Sequence, residues 1–215
     1  MPFPFLVRRA FPTVRKSSGS AWLAVGVLGC LGLGVLLIGL IPAVEGSLYF
    51  HPGQDPLWRG LLAQLVHVNL AHMVLNLVTL LGVGGMALAI GRLWGLLACL
   101  MLSALAVCFG LQAEQPPLAW YAGLSGALYG AGAWLPLAVA ERAASRSIQA
   151  LAVLICLAIG AKAWLSLSAG GLLAGVSVAS SSHVYGYLGG LCYAVFRGVP
   201  VIYRRWHMRG DVTDQ

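Results

Sequence analysis

Ser125 stands in the segment Gly123-Leu124-Ser125-Gly126, and His183 follows Ser182 in a distant apolar run. A serine hydroxyl becomes a nucleophile when a base removes its proton, and neutral imidazole is the usual base near pH 7. Neither run carries an Asp or Glu at that depth, so the third member of a triad is missing and the pattern reads as a dyad. Tyr129, one helical turn beyond Ser125, is placed to orient the imidazole by packing. His72 and Asn76 are spaced i, i+4, one above the other on a helix face, where both can donate to one atom. With the Ser125 backbone N–H and the partial positive charge of a helix N-terminus, they would form an oxyanion site. The motif is not the hydrolase elbow, which needs a second glycine where Ala127 stands and a strand before it.

These residues must be held by membrane-spanning elements. Of the 215 residues, 60% are hydrophobic and 9% charged, against roughly 25% charged in an average soluble domain. Apolar runs of span length recur to the C-terminus, near 21–42, 60–82, 93–112, 124–140, 148–169 and 182–203. Lipid forbids unpaired backbone and the runs lack the alternation of barrel strands, so each is expected to be a helix. The expected fold is an all-α membrane protein with a six-helix bundle at 21–203, a basic N-terminal tail at 1–20 and a basic C-terminal tail at 204–215.

Polar residues inside spans are costly, which singles out His67, Asn69, His72 and Asn76 on the second span, Ser125 on the fourth and His183 on the sixth. Odd spans run outward and even spans inward, so all three clusters fall in the outer half of the membrane. Ser125, Tyr129 and Gly132 share one helix face, and His183, Gly186 and Gly190 share another. Gly186-x-x-x-Gly190 is the small-residue spacing that lets membrane helices approach closely. Contact of that face with Gly126 and Gly130 would bring His183 to Ser125.

The net charge of +7 raises the question of nucleic acid, but the basic residues sit at span ends and not on a polar, aromatic-bearing surface. Arg8, Arg9, Arg15, Lys16, Arg92, Arg142, Arg146, Arg197, Arg204, Arg205 and Arg209 fall on one side, while Glu45, Asp55, Arg59 and Glu114 fall on the other. Positive-inside bias then places both termini in the cytoplasm. Trp58, Trp120, Trp164 and Trp206 lie near span ends, as interfacial anchors do. His51 and His207 read as solvated, and His67 as a structural tie between the first loop and the bundle. The cysteines, all in apolar runs without C-x-x-C spacing, read as small buried residues. Ser103, Ser166, Ser168 and Thr79 can bond back to their own helices. Lys162, within the fifth span, must snorkel or find a partner. The dyad requires no metal or cofactor.

Trp58-Arg59, His67-x4-His72-x3-Asn76, Gly123-x-Ser125-Gly126 with Tyr129, and His183-x2-Gly186-x3-Gly190 resemble the rhomboid proteases, in that order and over about 135 residues. The resemblance implies a Ser125–His183 dyad, an oxyanion site at His72 and Asn76, and a structural loop at Trp58 and Arg59. Ala119–Gly126, Ala161-Lys162-Ala163-Trp164 and Ser182–Gly186 look most like the rhombosortases, which implies cleavage of C-terminal Gly-Gly anchors on exported proteins of a bacterial inner membrane. The expected partners are such anchored transmembrane substrates and membrane lipid, with the site opening to the periplasm and no nucleic acid involved. One departure is that Gly84-Gly85 leads into Met86-Ala87-Leu88, without the acidic residue that many rhomboids carry there. The rival readings are a catalytically silent rhomboid-like client binder and a small transporter.

Overall fold

Leu, Val and Ala in uninterrupted runs of about twenty residues have one stable form in lipid, the helix. The computed structural model describes residues 19–41, 46–168, 172–173, 176–177 and 179–210. Seven α-helices are found among them: α1 (Gly19–Gly39), α2 (Leu57–Ala63), α3 (Leu70–Ala89), α4 (Leu93–Gln112), α5 (Ser125–Arg142), α6 (Arg146–Ser168) and α7 (Ser180–Gly210). A two-residue antiparallel pair, β1 (Leu172–Leu173) and β2 (Val176–Ser177), joins α6 to α7. Among the described residues α1, α3, α4 and α6 are long and apolar enough to cross a membrane.

α5 is less apolar because it sits at the centre, where small residues replace leucine, and α7 because it begins with Ser180–His183 and ends among arginines. α5 packs against α3, α4, α6 and α7. Its Gly126, Ala127, Gly130, Ala131 and Ala133 are buried. A methyl group added at Gly186 would collide with the Gly126 carbonyl, and one at Gly190 with the Gly130 carbonyl, so backbone meets backbone along this seam. Ser103 of α4 presses on Gly130 from the third side and is fully buried. Only at such spacing can side chains at the starts of two helices share a hydrogen bond.

The expected continuous span at 60–82 is not one helix. It breaks between α2 and α3, with Gln64, Leu65 and Val66 closing short turns onto the carbonyls of Leu61, Leu62 and Ala63. Asn69 does not sit within a span but caps α3, its side chain accepting from the His72 N–H at 2.8 Å. α7 also continues past the expected end at 203, to Gly210, so the basic C-terminal segment begins as helix. Of the expected N-terminal tail, residues 1–18 lie outside the described residues, as does Glu45, while Gly19 and Ser20 already belong to α1.

Three other expectations change. Cys99, Cys108 and Cys156 are buried, but Cys30 and Cys192 lie on the outer surface of the bundle. There, facing lipid serves a small apolar side chain as well as burial does. Ser103 faces Cys99 Sγ at 3.9 Å and the neighbouring glycine helix, whereas Thr79 and Ser166 do bond to their own carbonyls. His51 is not simply solvated: its backbone N–H donates to Asp55 at 2.8 Å and its ring lies 3.1 Å from the same carboxylate.

Candidate active site

The serine segment is positioned by the loop between α1 and α2. Phe50 and Tyr121 exchange backbone hydrogen bonds of 3.0 and 2.7 Å, and both side chains are buried. The Gly123 N–H donates to the Ala63 carbonyl at 2.9 Å, and the Tyr121 hydroxyl donates to the Gly123 carbonyl at 2.6 Å. Gly123 has a φ of +120°, and a Cβ there would sit 2.7 Å from the His72 ring. Glycine is therefore required twice over, by conformation and by the closeness of the imidazole. The chain leaves this turn through Leu124, whose N–H points to His67 Nε2 at 3.5 Å, and enters α5 at Ser125.

The first loop is itself tied down by Arg59. Its guanidinium donates to the Ser47 carbonyl and, at 3.5 Å, to the Tyr49 carbonyl, and lies 3.5 Å from Asp55. Burial raises the Asp55 pKa, but the His51 hydrogen bonds and the Arg59 charge outweigh it and hold the carboxyl below its ordinary value. Trp58 takes no part in this knot and is 59% exposed, the position of an interfacial ring. Trp120, in contrast, stacks on Tyr49 with centroids 4.7 Å apart, so it is a loop brace and not a free anchor. Trp164 is exposed, and the Trp206 and His207 side chains lie outside the described residues.

Ser125 Oγ lies 3.1 Å from His183 Nε2. The imidazole stacks on the Tyr129 ring, centroids 4.3 Å apart and planes 20° from parallel. Among the described residues, His183 Nδ1 is buried without a hydrogen-bond partner, and no carboxylate meets the ring, which packs on Tyr129. The helix geometry explains the trio: Tyr129 is one turn below Ser125 on α5, and the glycine seam brings the first turn of α7 alongside both.

A cavity of about 450 Å³ opens at this point between α3, α5, α6 and α7. Ser125 and His183 line it together with His72 and Asn76 from α3, and Lys162 and Ser166 from α6. Asn76 Nδ2 donates to the His72 carbonyl at 3.0 Å, which fixes the amide and, among the described residues, leaves its second N–H free. Among the described residues His72 Nε2 has no partner, and the His72 ring packs edge-on against His67, centroids 5.0 Å apart. Two side-chain donors, a hydroxyl and an imidazole thus surround one space large enough for an extended peptide segment.

Sequence reading missed the brace that fixes Ser125: Phe50, Ala63, the Tyr121 hydroxyl and Gln64, whose side chain lies 3.4 Å from that hydroxyl. Most of these contacts are backbone bonds and leave no mark on residue type. Asn69 was findable, because an Asn immediately before an apolar periodic run is a helix-start signal.

The Rhomboid domain family model matches residues 54–199, which contain every one of these cavity-lining residues. No curated protein matches the chain. With that match covering most of the sequence and the helices arranged around its motifs, the chain belongs to the rhomboid family, whose members are generally intramembrane serine proteases acting on transmembrane proteins.

Proposed function

We propose that the protein is an intramembrane serine endopeptidase in which Ser125 is the nucleophile and His183 the general base. The observation that carries this reading is the 3.1 Å separation of Ser125 Oγ and His183 Nε2 at the wall of a cavity. In the reaction the hydroxyl attacks the carbonyl carbon of a substrate peptide bond while His183 accepts its proton. The oxyanion that forms receives hydrogen bonds from Asn76 Nδ2, His72 and the Ser125 N–H, at the positive end of α5. Protonated His183 then gives its proton to the leaving amine. Water repeats the sequence on the acyl-enzyme and releases the second product.

On this reading α5 and α7 are spans too, making six with α1, α3, α4 and α6. The eighteen residues of α5 extend about 27 Å, close to the thickness of a bilayer's hydrocarbon core. The six-span unit is 21–203, with basic cytoplasmic tails at 1–20 and 204–215, in a bacterial inner membrane. The Lys and Arg bias between the two ends supports a site facing the periplasm. The substrate is a membrane-tethered exported protein with a C-terminal anchor that begins with Gly-Gly, as in the rhombosortases.

A fluorophosphonate probe reacts with activated serines and separates this reading from a silent client binder or a transporter. The reconstituted protein should be labelled, with the adduct mapped to Ser125, and both Ser125→Ala and His183→Ala should lose the label. Labelling that is absent, or that persists in Ser125→Ala, would remove Ser125 from the mechanism.

A further inference from the structure

Lys162 reaches the cavity from α6, and nothing in the dyad's chemistry uses it. Its Nζ lies 5.7 Å from the centroid of the Tyr129 ring, the ring that stacks on His183. This side chain and the base therefore lie against the same aromatic ring. Among the described residues, Lys162 is the only Lys, Arg, Asp or Glu that lines the cavity. It joins no ion pair among the described residues, where His51 and Arg59 meet Asp55 and Arg92 meets Glu141.

The nearby hydroxyls are already engaged as donors, Thr79 to the Leu75 carbonyl at 2.8 Å and Ser166 to the Ala163 carbonyl at 2.7 Å. An aromatic face attracts a cation without cancelling its charge. A cation in apolar surroundings is costly unless paired; Lys162 is exposed at the cavity, no carboxylate among the described residues lines it, and a group entering the cavity can supply the pair.

We propose that Lys162 is a specificity residue, pairing with an Asp or Glu side chain of the bound substrate segment close to the bond that is cut. The inference rests on the serine-protease reading of the site. A substrate carboxylate is favoured over a lipid phosphate because Nζ stands over the Tyr129 ring at the cavity, while the outer surface of α6 is taken by Trp164 and Leu165, 66% and 65% exposed.

The test uses the full chain in phosphatidylcholine vesicles and a single-span substrate carrying Asp, or its near-isosteric amide Asn, at each position flanking the cut in turn. At one position kcat/KM should be about 10-fold higher for Asp than for Asn. Lys162→Arg should keep that preference and Lys162→Met should bring the ratio to about one. Cleavage that depends on Ser125 but shows no acid preference at any position overturns the pairing and leaves the protease reading intact. A preference that survives Lys162→Met assigns it to another group and also overturns the proposal. So does a Lys162→Met defect that is equal for all substrates and confined to phosphatidylglycerol vesicles, since that marks a lipid contact. Failure of the wild-type protein to cut any substrate sinks the protease reading and this inference with it.

Discussion

A hydroxyl, an imidazole and a carboxamide in lipid would each be costly without partners, and their sharing one cavity is what makes them chemically useful. Asn76 is the clearest case, because one of its amide hydrogens is spent on the His72 carbonyl at 3.0 Å and, among the described residues, the other is free. An oxyanion donor acts on charge that exists only in the transition state, so Asn76→Ala should lower kcat by about 10²-fold to 10³-fold with little change in KM. Steady-state kinetics on a reconstituted anchored substrate would check this, and a change confined to KM would make Asn76 a substrate contact instead. Residue identity made this group legible before any geometry was known. Ser125, His183, His72 and Asn76 stand out because membrane spans hold few such side chains. What the sequence did not reveal is why Gly123 is glycine: its φ of +120° and the His72 ring against it arise from a turn whose backbone partners lie near residues 50 and 63.

Between elements, the decisive contact is the glycine seam of α5 and α7, which sets the distance from Ser125 to His183. A Cβ at Gly186 would meet the Gly126 carbonyl, a backbone atom that cannot rotate away, so the helices must part. Gly186→Ala is therefore expected to cost about 1–3 kcal/mol and to separate the dyad, reducing activity more than stability. The control is Gly198→Ala on the same helix, where a methyl group meets nothing within 4 Å and where alanine should be neutral or stabilising. Thermal unfolding in detergent together with fluorophosphonate labelling would check both, and equal behaviour of the two variants would argue against the seam. The seam was legible as small-residue spacing in two runs. The break between α2 and α3 was not, because a hydropathy window of about 19 residues averages over a six-residue interruption. Gln64 to Asn69 carry three apolar residues beside Gln64, His67 and the capping Asn69, too even a mixture for such a window to mark as a break. The pairing of Leu172–Leu173 with Val176–Ser177 falls between the expected spans at 148–169 and 182–203, where short apolar and small residues give no strand signal of their own.

At the scale of the whole molecule, Ser125 lines a cavity among four helices, and on the protease reading this geometry limits what can be cut. A helical substrate keeps each carbonyl bonded within its own backbone and shielded by side chains, so it cannot offer a carbonyl carbon to Ser125. The bound segment must unwind, and the cavity of about 450 Å³ has room for a short extended stretch rather than an intact helix, which is 10–12 Å across. Small helix-destabilising residues lower the cost of unwinding, glycine by about 1 kcal/mol per residue relative to alanine. Two successive glycines at the outer edge of a C-terminal anchor, followed by a span and basic cytoplasmic residues, are the expected cleavage neighbourhood. Replacing the pair with leucines should suppress cutting by about 10-fold or more, since two residues at that cost make up more than one decade in rate. Membrane insertion should be unaffected, because leucine favours the bilayer. The measurement is mass spectrometry of the released product, with insertion checked by alkaline extraction. Equal cleavage of the leucine variant would refute the unwinding requirement and the Gly-Gly anchor specificity together, and would leave the serine chemistry of the family in place.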